Sequence, residues 1–217
     1  MGLGGRGLHG GTAVGGVLVL GEPLSLWGGT DAATGVITDE RHPEFGERLG
    51  GRVVVMPGSR GSSSSASVLA EMLRAGVGPA ALVVLRADPI LVIGAMVAEE
   101  LYGLGIPIVE VSAADLAVLS RWSRVTITVS EGECELTGES ELERLFFTDE
   151  ADGWVRQRLL GEFERRRDGR ADFTFTMVDV VMDFDAQTAT LSGILAEDGE
   201  VVLPLAEFRE RLMKEAG

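Results

Sequence analysis

Arg52-Val53-Val54-Val55-Met56-Pro57-Gly58-Ser59-Arg60-Gly61-Ser62-Ser63-Ser64-Ser65-Ala66-Ser67-Val68-Leu69 passes from an apolar run, through a turn of glycine and serine, into a segment with helical periodicity. The run Arg52 to Met56 has no alternation that would leave one face wet, so it reads as a buried strand. Ser67 to Ala75 reads as a helix, with Val68, Leu69, Met72 and Leu73 on one stripe and Gly76 as its stop. The pattern then repeats. Ala81 to Leu85 is a second apolar strand, about Leu91 to Tyr102 a helix ending at Gly103, and Ile106 to Val111 a third strand. Such alternation predicts an α/β layer with some parallel pairing.

Outward from this unit, residues 1–12 are glycine-rich and are expected as a flexible tail. Gly15 to Leu20 reads as a short strand, broken by Gly21-Glu22-Pro23, and Leu24 to Gly35 as a loop. Val36-Ile37 is expected as a brief extended piece, and Val125 to Val129 with Cys134 to Leu136 as a strand pair around Glu131-Gly132. Near residue 139 the character changes. About Ser140 to Arg167 is read as mainly helical, followed by strands Phe173 to Phe184, Thr188 to Leu195 and Val201 to Leu203 and a helix Leu205 to Lys214. Residues 139–217 are therefore expected as an acidic α+β extension of unknown type. Phe146, Phe147, Trp154, Leu159 and Phe163 would leave it apolar surface for a subunit contact, or else it is a self-contained decoration.

The chain has 217 residues, 34 acidic against 19 basic, for a formal charge of −15. No Lys/Arg field could offset the repulsion of a phosphate backbone, which argues against nucleic acid as a partner. The basic run Arg165-Arg166-Arg167 is flanked by acids and reads as a charged helix face. One cysteine and two histidines, His9 and His42, cannot build a disulfide framework, a zinc site or an iron–sulfur cluster. No metal ligand set is expected in this chain. The apolar segments near 80–97 are interrupted by Arg86, Asp88 and Pro89, so no membrane span is expected, and the start lacks the apolar core of a signal peptide. The expectation is a cytoplasmic protein.

The serine-rich turn is the first candidate site. Glycine at Gly61 permits a tight turn, and the hydroxyls of Ser62 to Ser65 fall where a helix begins, with its N–H donors and partial positive field. Ser62 could bind an anion or take a proton from a carbon acid; alternatively, Ser62 to Ser65 serve only as capping and turn residues. Arg60 could orient a carboxylate through its guanidinium fork, or pair with a surface acid. Trp27-Gly28-Gly29-Thr30-Asp31 forms a second cluster, where the backbone could pass close to a ligand or another subunit. His42 could be a general acid or base, or structural. The turn lacks the lysine of a nucleotide-binding loop, and no Gly-x-Ser-x-Gly elbow is present. Cys134 is expected on a strand with a raised pKa and no catalytic role.

Three stretches together resemble a known family: Pro23 to Asp31, Gly35 to Asp39 with His42-Pro43, and Gly58 to Ser65. With Pro79-Ala80-Ala81, Asp88 to Leu91, Gly94-Ala95, Glu100 to Gly103 and Ile106-Pro107, they are similar in order and spacing to the small, swivelling subunit of the aconitase X group, over about residues 13–137. The resemblance implies an α/β fold, an aconitase-like swivel domain of layered, barrel-like form over 13–138, with the C-terminal α+β extension appended. It implies a hydro-lyase that acts only with a large subunit holding an iron–sulfur cluster. The expected substrate is a small hydroxy acid, cis-3-hydroxy-L-proline or, alternatively, mevalonate 5-phosphate; a non-catalytic interaction or regulatory module on the same fold is the other reading. The run Asp88 to Gly103 resembles the bacterial hydroxyproline type more. The family's recurring Gly-Ser corresponds to Gly61-Ser62, which makes Ser62 the base that removes the α-proton, while cluster iron in the partner takes the departing hydroxyl. Arg60, Gly61, Ser63, Ser65, Trp27, Gly28, Gly29, Asp31 and His42 are the implied substrate-binding residues. Leu26 departs from the pattern, standing where an aromatic is usual.

Overall fold

Seven strands, β1 (Gly2–His9), β2 (Gly11–Val19), β3 (Val53–Met56), β4 (Ala81–Val84), β5 (Ile108–Glu110), β6 (Trp122–Ser130) and β7 (Glu133–Ser140), close into a barrel ordered β1-β5-β4-β3-β2-β6-β7. This arrangement comes from a computed structural model that describes residues 2–193 and 199–214. The pairs β2–β3, β3–β4 and β4–β5 are parallel, with Val53 opposite Ala81 and Val54 opposite Leu82. Every residue of β3 and β4 is buried because successive side chains enter different cores. Val53, Val55, Ala81 and Val83 join Val109, Ile127, Leu136 and Trp122. Val54, Met56 and Leu82 instead meet the helices α2 (Ser65–Arg74) and α3 (Pro89–Tyr102) through Leu69, Met72, Leu91, Ala95 and Ala98. A distorted turn, α1 (Leu26–Gly29), precedes them in the chain, and α4 (Ala113–Leu119) follows β5. The sequence reading missed α4, which Ser112 caps by accepting the Asp115 N–H at 3.1 Å.

The expectation of a flexible tail over residues 1–12 is corrected by the structure. Residues 2–9 form β1, which closes the barrel by pairing antiparallel with β5 and β7, Arg6 opposite Glu110 and Gly5 opposite Cys134. Its glycines answer a packing requirement. A Cβ at Gly5 would lie 2.7 Å from the Glu110 carbonyl oxygen and 3.1 Å from the Cys134 sulfur. Arg6 reaches Glu110 at 2.6 Å across the seam, and the Ala87 N–H, with Arg6, holds the Glu110 carboxyl below its ordinary range.

The chain divides into two compact units, Met1–Glu139 and Ser140–Gly217. In the second, Ser140 opens α5 (Glu141–Arg144) with a reciprocal cap: its hydroxyl accepts the Glu143 N–H, and the Glu143 carboxylate accepts the Ser140 N–H at 2.7 Å. A π-helical turn, Leu145–Glu150, leads to α6 (Gly153–Arg165). Four antiparallel strands, β8 (Arg170–Thr174), β9 (Val178–Asp183), β10 (Thr188–Gly193) and β11 (Glu200–Pro204), run in the order β11-β10-β9-β8, and α7 (Leu205–Met213) completes the unit. The single strand expected from Phe173 to Phe184 is two, because the chain reverses at Phe175, whose N–H donates to the Val178 carbonyl. Positions 194 and 195 of the expected strand Thr188 to Leu195 lie outside the described residues. The apolar surplus expected for a subunit contact is mostly used internally. Phe146, Phe147 and Leu159 are buried with Val180, Met182, Leu191 and Phe208, Phe163 packs against them, and Trp154 stays exposed. No helix among the described residues is long and apolar enough to cross a membrane.

Candidate functional site

The chain leaving β3 is pinned before it turns. Ser59 bridges to Leu24, and the Arg60 N–H donates to the Leu24 carbonyl at 3.1 Å, which draws the Leu24–Trp27 segment alongside. The Ser59 hydroxyl bonds the Asp88 carboxylate, whose other oxygen accepts the Ile90 N–H at 2.8 Å and caps α3. Gly61 then takes φ +107°, where a Cβ would stand 2.6 Å from Ser25 Oγ. Both the backbone angle and the contact require glycine there.

Past Gly61 the chain makes one tight turn. The Ser65 N–H donates to the Ser62 carbonyl at 2.9 Å, and Ser62 Oγ accepts the Ser64 N–H at 3.2 Å and lies 3.3 Å from Ser64 Oγ. The helix therefore begins at Ser65, two residues before the expected Ser67, and the turn occupies the N–H groups of Ser64, Ser65 and Ala66. Among the described residues, no protein acceptor meets the N–H groups of Gly61, Ser62 or Ser63. Ser62 and Ser63 are exposed.

Arg60 is about half exposed and places Nη2 2.8 Å from Asp39 Oδ2. Asp39 is fixed in turn: its Oδ1 accepts the Arg41 N–H at 3.0 Å and its own N–H donates to the Gly29 carbonyl. Gly29 is buried, and its carbonyl also accepts from Thr38. Trp27 and Gly28 are exposed beside this crossing, the Trp27 N–H donating to Ser65 Oγ at 3.3 Å and its carbonyl accepting from Ser25 Oγ at 2.8 Å.

Three of the expected residues have their side chains engaged within the fold. Ser65 is buried and its hydroxyl braces Trp27. His42 is buried, with Nε2 3.3 Å from the Glu22 carbonyl and Nδ1 near both the Glu44 N–H and carboxylate; only its backbone serves the site, donating to the Asp39 carbonyl at 2.9 Å. The Asp31 carboxylate closes its own turn on the N–H groups of Ala33 and Thr34. Sequence reasoning missed three residues that build the site: Ser25, which Gly61 must clear, Asp39, which orients Arg60, and Asp88, which anchors Ser59. The one signal for them was their place inside the stretches that carry the family resemblance. The resulting surface presents, on one short loop, a guanidinium, a hydroxyl and N–H groups that no protein acceptor meets among the described residues, an arrangement that can hold a carboxylate and accept a proton beside it.

A profile of the aconitase X swivel domain matches residues 3–136. The chain belongs to that family. Its swivel domain is 44% identical over 103 residues to the cis-3-hydroxy-L-proline dehydratase of Pseudomonas aeruginosa, a match covering 48% of this chain and 18% of that protein. The chain thus spans less than a fifth of that relative's length. It is 34% identical over 142 residues to the phosphomevalonate dehydratase small subunit of Pyrococcus furiosus, covering 65% of this chain and all of the relative. The holo-form crystal structure of aconitase X from Thermococcus kodakaraensis matches with a TM-score of 0.54 and 29% identity, over 63% of this chain and 98% of that one. Residues 140–217 lie outside the family profile.

The aconitase X swivel domain of this chain does not fit an iron–sulfur cluster. Its one cysteine, Cys134, lies half-buried on β7, where burial pushes the thiol pKa up and the Gly5 backbone only partly offsets it. Among the described residues, no group of three or more His, Cys, Asp or Glu side chains could hold a metal ion.

Proposed function

We propose that this chain is the small, swivelling subunit of a dehydratase that removes water from a small hydroxy acid, with cis-3-hydroxy-L-proline as the substrate. The relatives it resembles are dehydratases or their small subunits. The observation that carries the reading is the loop at Gly61: an exposed Ser62 on a turn fixed from three sides, beside an Arg60 that Asp39 orients.

In this reading Arg60 and the N–H groups of Gly61 to Ser63 take the substrate carboxylate. Ser62 Oγ accepts the proton from the adjacent carbon, and the same donors stabilise the enediolate that develops on the carboxylate. A free serine hydroxyl is far too weak a base at neutral pH, so the N–H groups of the loop must favour its charged form. The hydroxyl on the next carbon then departs on the partner's side. Cluster chemistry belongs to that larger subunit, since this chain lacks the ligands. Mevalonate 5-phosphate offers the same proton and hydroxyl relationship, and the full-length match to the Pyrococcus small subunit supports it as the second reading.

The test is purification of the full chain from its own host, followed by assay with both substrates. A brown complex with a larger, cysteine-rich chain that dehydrates either hydroxy acid is the expected result. A colourless homo-oligomer without that partner would replace the dehydratase with a non-catalytic module, a reading favoured by the extension beyond the family profile and by the chain's lack of cluster ligands.

Within such a complex, Arg60→Gln should raise KM by about tenfold or more, the value of one charge-assisted hydrogen bond to a carboxylate, and should lower kcat as well, because the same guanidinium faces the enediolate. Asp39→Asn should produce a milder version of the same shift, because it loosens Arg60 without removing it. Steady-state kinetics on the two variants checks both. An unchanged KM in Arg60→Gln would remove that residue from the carboxylate site.

A further inference from the structure

The second unit carries a cleft of its own. It holds about 330 Å³ and is lined by Phe163, Arg166 and Arg167 at the end of α6, Phe184 and Gln187 at the β9–β10 turn, and Arg209 on α7, with Leu205 and Ala206 at the start of that helix. That volume falls at the low end of the ~300–1,000 Å³ typical of small-molecule sites. Its apolar part is aromatic: Phe184 is buried, and Phe163 meets it edge to face with ring centroids 5.6 Å apart. Gln187 lines it from a left-handed backbone at φ +57°, its amide Nε2 donating to the Phe184 carbonyl at 2.6 Å.

The charge in this cleft runs against that of the chain as a whole, whose formal net is −15. Most arginines of the unit are spent on fixed partners. Arg144 pairs with Glu141 and Asp149, Arg211 with buried Glu143 at 2.5 Å, and Arg156 donates to carbonyls at the end of α7. Arg166 is neutralised by Glu162 at 2.7 Å. Arg167 and Arg209 differ. Arg167 donates only to the Phe163 carbonyl, Arg209 lies 5.5 Å over the Phe163 ring, and no carboxylate pairs with either among the described residues. Asp185, on the turn beside the cleft, is engaged by the Gly169 N–H at 3.1 Å. The N-terminus of α7 also opens beside the cleft, with its field partly offset by Glu207 in the first turn and the Leu205 N–H donating to the Gln187 carbonyl at 2.9 Å.

We propose that this cleft binds a small organic anion with a flat apolar body, its carboxylate or phosphate held by Arg167 and Arg209 and its body laid against Phe163 and Phe184. Two guanidinium forks that no described carboxylate pairs with supply charge-assisted hydrogen bonds, and one of them already stacks on the ring that would floor the ligand. The acidic surface of most of the chain disfavours such a ligand there, which sets the cleft apart within its own unit.

Calorimetric titration of the full chain with phenyl phosphate, benzoate, benzamide and inorganic phosphate tests this. Saturable one-to-one binding of phenyl phosphate or benzoate is expected, and whichever binds more tightly identifies the anionic group. Uncharged benzamide and body-less inorganic phosphate should each bind at least about tenfold more weakly. Arg167→Gln and Arg209→Gln should each weaken the tighter aromatic anion by about tenfold. Both side chains are exposed, so the melting midpoint should hold; if loss of the ring contact lowers it in Arg209→Gln, the Arg167 variant decides. No saturable binding, equal binding of inorganic phosphate, equal binding of benzamide, or affinity untouched by either variant would each overturn the proposal.

Discussion

Ser62→Ala is expected to lower kcat of the assembled dehydratase by at least about 100-fold while KM stays within about threefold, because a positioned base contributes ~10²–10⁴ in rate. The substitution is clean in structural terms. Ser62 is exposed, its backbone carbonyl still accepts from Ser65, and the only side-chain bonds removed are those to the Ser64 N–H and hydroxyl. Ser64→Ala is the control: it keeps the N–H that holds Ser62 Oγ and should cost less than about tenfold. Gly61→Ala should resemble Ser62→Ala in rate for a different reason, since a side chain at φ +107° facing Ser25 must displace the turn. Single-turnover assays on the four proteins separate these effects. Near-normal turnover in Ser62→Ala would end its assignment as the base.

What could be read from the residues follows from how local each cause is. The strands and helices between 52 and 111 declare themselves, because a parallel strand buried on both faces must be apolar throughout and the helices between them need one apolar stripe. The closing strand β1 does not. Its glycines are the composition of a loop, and what makes them a strand is the Glu110 carbonyl and the Cys134 side chain, which approach from residues more than a hundred positions away. The same holds for α4, too short and too mixed to show a stripe.

The site divides in the same manner. Gly61 and Ser62 were legible, since a glycine followed by a string of hydroxyls between an apolar strand and a helix marks a tight, solvated turn. Ser65 was chemically indistinguishable from its neighbours, and only the approach of the Trp27 backbone seals it in. His42 has the residue type of a catalyst, yet burial and contacts with Glu22 and Glu44 give it the work of holding a turn. Asp39 carries the reverse lesson: an ordinary loop acid becomes the partner that aims Arg60, through a pairing that spans 21 positions.

Phe146→Ala is expected to destabilise the unit Ser140–Gly217 heavily and leave the barrel standing. Phe146 is fully buried, and its ring meets Phe147, Phe208 and Phe175 with centroids 5.0, 5.8 and 5.9 Å away. Truncating such a residue costs about 3–5 kcal/mol, while a unit of this size holds only ~0.05–0.15 kcal/mol per residue in total. No member of this aromatic cluster belongs to either barrel core. Two separate transitions should therefore appear in a thermal scan, with the lower one moved far down by the substitution and the upper one unmoved. Limited proteolysis should then cut between 140 and 217 and spare residues 2–139. One transition that shifts as a whole would mean that the units unfold together, and the extension would have to be treated as part of the swivel domain's own stability. With two transitions, the variant becomes the sharpest probe of the extension's role. It disables that unit without touching Ser62 or Arg60, so any loss of partner assembly or turnover would be traced to residues 140–217 themselves.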